Sequence, residues 1–149
     1  MKHNRISLLI VSVVILGAFL LTACGAKDTG PVTLTVTGMV NSELKLTDAA
    51  LHKMNTVTLT LQHPKNGPTE YTGVRLNDIL NKAGIKDGAA TVTLSATDGF
   101  TSDIDLATIQ ACGDCLVAFD SATASVYNAA MPGQSSKAWV KQLVSITIK

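Results

Sequence analysis

Arginine is nearly missing from this 149-residue chain, with only Arg5 and Arg75 present. A large anionic ligand is usually gripped by several guanidinium forks, so their scarcity argues against tight binding of one. An excess of charge of either sign is missing too. The formal net charge is +1 and only 15% of residues are charged, which gives no reason to expect a nucleic-acid or acidic-lipid partner held by charge alone. Cysteine and histidine number three each. Neither a second cysteine pair nor a histidine stands near Cys112 and Cys115, so a zinc site lacks its remaining ligands. No internal repeat is present, and the one long apolar run, Ile6 to Leu21, is shorter than the roughly 20 residues needed to span a bilayer.

That run is still informative. Lys2 and Arg5 precede it, and Leu21-Thr22-Ala23-Cys24 follows it with small residues before a cysteine, the pattern of an export signal with its cleavage site. This stretch resembles a bacterial lipobox. The resemblance implies that Cys24 is acylated and becomes the first residue of the mature chain, held to the extracytoplasmic face of the cell membrane by lipid. The expected organisation is a signal peptide over residues 1–23, a lipid-anchored tether over 24–31 and one domain over 32–149. About 126 residues remain after cleavage, with ten basic against eleven acidic side chains, enough for a single core without metal or many disulfides.

Cys112-Gly113-Asp114-Cys115 holds the other two cysteines. In an exported protein such a pair is expected to close into a disulfide, in a ring so small that it rigidifies a local turn more than it staples the fold. A thiol-redox pair has the same spacing, but needs a strand leading in and a helix starting within the motif, whereas Leu106 to Ala111 reads as a short helix before it. Free thiols or a metal site are the remaining alternatives.

Val32, Leu34 and Val36 alternate with threonines up to Gly38, the period of a half-buried strand, and the pattern returns at 57–61, 92–95 and 144–148. Threonine suits a wet sheet face because it is β-branched and polar. Thr47 is a good N-cap before Asp48. Leu76, Ile79, Leu80 and Ala83 lie at helical spacing before Gly84, and Asp105 is placed to cap a third helix through Ile109. Strands and helices are interspersed too irregularly for a βαβ array, which predicts an α+β fold with a mixed sheet and short helices.

The order of landmarks carries a resemblance: Leu46-Thr47-Asp48, the strand and loop over 57–67, Gly73-Val74-Arg75-Leu76 with Asp78-Ile79-Leu80, Asp98-Gly99-Phe100, and Trp139-Val140-Lys141. Together they resemble the molybdopterin-binding domain of the sulfite-oxidase family, in its compact exported bacterial form. The resemblance implies an α+β domain whose loops hold molybdopterin, with the metal ligated by a cysteine thiolate at the end of the strand over 57–61. Here that strand runs into Gln62-His63-Pro64, and neither an amide nor an imidazole replaces thiolate donation to a high-valent metal. His63, Ser135, Ser136 and Lys141 are the candidate cofactor-contacting residues, in a groove with the 98–100 loop, and no catalytic or metal-ligating residue is expected. The expected function is a non-catalytic binding or accessory module that takes a small anionic ligand or a redox partner protein. The alternative is an active molybdopterin-dependent oxidoreductase or a thiol-redox protein using Cys112 and Cys115; a purely structural envelope domain is a third.

Overall fold

Alternation of threonine with aliphatic side chains builds the first sheet. The structure is a computed structural model that describes residues 29–149. In β1 (Val32–Gly38), Leu34 and Val36 are fully buried while the alternating Thr33, Thr35 and Thr37 are half-buried. β1 pairs antiparallel with β2 (Leu44–Thr47) on one side and parallel with β9 (Leu143–Ile148) on the other, with Thr35 opposite Ser145. β9 in turn pairs antiparallel with β5 (Thr91–Ala96), and β5 with β6 (Thr101–Asp105). The result is a mixed five-stranded sheet in the order β2-β1-β9-β5-β6. Thr47 and Thr93 are the exceptions to the wet face: both are buried, and Thr93 donates to Asp103 Oδ1 at 2.5 Å.

The second sheet is antiparallel throughout, in the order β3-β4-β7-β8. β3 (Thr56–His63) and β4 (Gly67–Arg75) form a hairpin closed by His63 opposite Gly67, whose φ of 72° suits glycine at this turn. β7 (Leu116–Phe119) pairs only with Gly73–Arg75 of β4 and then with β8 (Tyr127–Ala130), so most of the hairpin runs on as a two-stranded ribbon. At the crossing, a Cβ added to Gly73 would collide with the Val117 carbonyl oxygen.

Three short helices fill the connections. Thr47 caps α1 (Asp48–His52), its hydroxyl accepting from the Ala50 N–H at 3.1 Å. α2 (Leu76–Ala83) buries Leu76, Ile79, Leu80 and Ala83 and stops at Gly84. α3 (Leu106–Ala111) buries Leu106 and Ile109; Asp105 stands at its N-cap position without making the side-chain capping bond. A 3₁₀ turn covers Ser136–Ala138. Both sheets and all three helices contribute to one apolar core. The fold is α+β, two sheets with few short helices. Among the described residues no helix is long and apolar enough to cross a membrane. The signal-peptide reading of 1–23, the lipidation of Cys24 and most of the tether lie outside the described residues.

Candidate functional site

The hairpin loop begins at Pro64, whose fixed φ suits a turn, and residues 64–66 carry the chain back past His63. His63 Nδ1 accepts the backbone N–H of Lys65 and of Asn66, each at 3.1 Å. An imidazole accepting at Nδ1 carries its proton on Nε2 when neutral, which makes the remaining nitrogen a donor and not a metal ligand. The His63 ring meets the Trp139 ring edge-on at 4.6 Å, and Tyr71 flanks the same indole at 5.5 Å. Trp139 is only 9% exposed, and its buried Nε1–H has no hydrogen-bond partner among the described residues.

Beside this aromatic cluster lies a cavity of about 190 Å³ lined by His63, Asn66, Tyr71, Asn128, Trp139 and Lys141. Asn128 is already committed: its amide donates to Asp120 Oδ2 and its oxygen accepts the Gln142 N–H, both at 3.0 Å. His63, Asn66, Tyr71 and Lys141 therefore supply the free polar groups. The Lys141 charge is itself opposed. Asp120 is held below its ordinary carboxyl pKa of 3.8 by the Asn128 hydrogen bond and by backbone N–H groups of Ala122 and Thr123, with the Lys141 charge adding to the effect. A wider groove of about 440 Å³ shares Tyr71 and Asn128 with the cavity and is lined by Glu70 and Asp120, so an extended anion would run into carboxylates.

The structure brings His63 and Lys141 to one cavity and places the other candidates elsewhere. Ser135 lines a separate cavity of about 500 Å³ with Phe100, Asp103 and Lys137, and Ser136 opens the 3₁₀ turn. Consecutive residues Ala138 and Trp139 line different cavities. Cys112 and Cys115 form a disulfide, reached from α3 and followed by β7, the reverse of the strand-to-helix order a thiol-redox motif needs. It abuts the Arg75 end of β4, through Leu116 opposite Arg75, whereas His63 abuts the Gly67 end; eight residue steps place them roughly 25 Å apart along the strand at about 3.3 Å each. Arg75 serves the disulfide loop, donating to the Gly113 carbonyl at 2.8 Å and lying 3.8 Å from Asp114. Tyr71, Asn66 and Asn128 were not singled out by sequence as site residues. The one usable signal was aromatic scarcity, since Tyr71 and Trp139 are two of the six aromatic residues.

These residues do not fit molybdopterin with a thiolate-bound metal. Among the described residues both cysteines are consumed by the disulfide, and no three His, Cys, Asp or Glu side chains cluster to hold a metal. The cavity is below the ~300 Å³ at which ordinary ligand sites begin, Trp139 forms one wall, and Lys141 is its only cation.

Comparison with known proteins gives the ancestry of this architecture. The chain superposes on the sulfane dehydrogenase SoxCD from Paracoccus pantotrophus with a TM-score of 0.66 at 18% identity, over 77% of this chain and 37% of that one. It thus spans little more than a third of that chain, and the likeness is one of fold. No curated protein matches the sequence significantly. The profile of the family described as the oxidoreductase molybdopterin binding domain matches residues 24–149, and the chain belongs to that family.

Proposed function

We propose that this protein is a lipid-anchored, extracytoplasmic binding module that keeps the molybdopterin-domain architecture without the metal chemistry. The observation that carries the proposal is the His63–Trp139 cluster: a strand end with no thiol, an imidazole turned into a donor by its own loop, and an indole filling the adjoining space. Donors from His63, Asn66, Tyr71 and Lys141 converge on a volume suited to a small hydrogen-bond acceptor carrying one negative charge. Among the described residues no cysteine, serine, threonine or carboxylate lines this cavity, and the disulfide at the other end of β4 is too distant to exchange electrons directly with a ligand there.

The test is elemental and pterin analysis of the protein purified from its own host, where any cofactor pathway is available. Molybdenum is expected well below one atom per chain, with no sulfite-dependent reduction of an electron acceptor. Near-stoichiometric molybdenum that disappears in the His63→Ala variant would overturn the proposal and make His63 a ligand in an active enzyme.

A further inference from the structure

Four strands stand at sheet edges, and three of them are blunted. β2 is four residues long and carries Lys45. β6 places Asp103 and Asp105 on its edge. β8 is also four residues long and is bonded onward through the Ala129 N–H to the Val140 carbonyl. Short length, edge charge and covering are the usual protections against pairing with another chain. β3 has none of them. It is eight residues long, Thr56-Val57-Thr58-Leu59-Thr60-Leu61-Gln62-His63, with no proline, lysine or acid, and among the described residues its backbone bonds only to β4.

The direction of its free groups follows from the hydrogen-bond alternation. The Leu76 N–H donates to the Cys115 carbonyl, and Val74 lies opposite Val117, so the even-numbered residues of β4 bond to β7. Its odd-numbered residues, Gly73, Tyr71 and Thr69, then bond to Val57, Leu59 and Leu61 of β3. The N–H and C=O groups of Thr58, Thr60 and Gln62 are left pointing out of the sheet. Residues 58–72 of the hairpin also have no third strand on either side, and a two-stranded ribbon is marginal alone.

We infer that β3 pairs antiparallel with β3 of a second copy of this chain, extending each four-stranded sheet into one of eight strands. A second copy fits because the strand is self-complementary. Under a two-fold axis Thr58, Thr60 and Gln62 of the two copies share the exposed face, and Val57, Leu59 and Leu61 share the half-buried face. No like charges meet: Glu70, opposite Thr60 on β4, stands three strand spacings from its copy, about 14 Å, beyond a physiological Debye length of about 8 Å.

The experiment is light scattering of the full chain in mild detergent over a range of concentrations, with Thr60→Pro and Thr58→Lys made separately. Proline at 60 removes an outward N–H and leaves the bonds to β4 intact; lysine at 58 charges the edge if proline proves too disruptive. The wild type is expected to give the protein mass of two copies at micromolar concentration, and each variant, still resistant to protease, to shift the dimer midpoint at least tenfold or to run as one copy. A wild type that stays a single copy overturns the inference, as does a dimer that survives both folded variants unchanged. A strand from a different protein bound at this edge, appearing as an unequal second chain, also overturns it.

Discussion

Tyr127 is where a single hydroxyl ties distant segments together. It is 1% exposed, donates to Asp48 Oδ1 at 2.5 Å and accepts from Thr33 at 3.3 Å, so one phenol joins β8 to the start of α1 and to β1. Burial first, and the hydrogen bond to Asp48 second, push its pKa from 10.0 up to about 12. In the unfolded chain the phenol ionises near its ordinary value. The stabilisation is therefore fully present below pH 10 and is lost as pH rises toward 12. Tyr127→Phe is expected to cost about 1.5–3 kcal/mol at neutral pH, the range for a hydrogen bond to a carboxylate. It should also remove this residue's share of the alkaline loss. Urea unfolding at pH 7 and at pH 11 checks both, and a variant whose alkaline loss equals that of the wild type would show that Tyr127 is not its source.

At the level of elements, the hairpin and its junction with β7 decide where the site lies. β4 crosses β7 at Gly73 with the backbones so close that no side chain fits. Gly73→Ala is expected to destabilise by about 2–3 kcal/mol, as forced overpacking does. Gly113→Ala, in open space without a left-handed φ, should stay within about 0.5 kcal/mol; denaturant midpoints of the two variants test the contrast. Strands β1, β3, β5 and β9 were legible because threonine and aliphatic residues alternate along each. β4 was read only as landmarks, since glycine and proline begin it and Gly73 interrupts it. β6 and β8 carry Asp103, Asp105 and Asn128, residues poorly suited to strands, and they exist because β5 and β7 supply partners. The candidate cavity is legible to the same degree: motif order points to His63 and Lys141, which line one cavity, but it groups Ser135 with them because nothing in a sequence shows that the turn at 136–138 separates two cavities.

For the whole molecule, the proposed anchor and the order of synthesis matter together. If Cys24 carries the lipid, Cys24→Ala is expected to move the protein from the membrane fraction to the soluble one or leave it unprocessed, because an acyl chain contributes roughly 0.8 kcal/mol per buried methylene. Fractionation with sizing of the product reads this out, and a membrane-bound variant at mature size would refute lipid anchoring at this residue. The five-stranded sheet adds a temporal constraint. β9 is the central strand, and without it the order β2-β1-β9-β5-β6 separates into two unconnected hairpins. Its partners in β1 lie 110 residues earlier, as Thr35 and Ser145 show, a span that makes folding slow. A ribosome must therefore finish residues 143–148 before the two hairpins can join into one sheet, so the last strand made is the one that closes the fold.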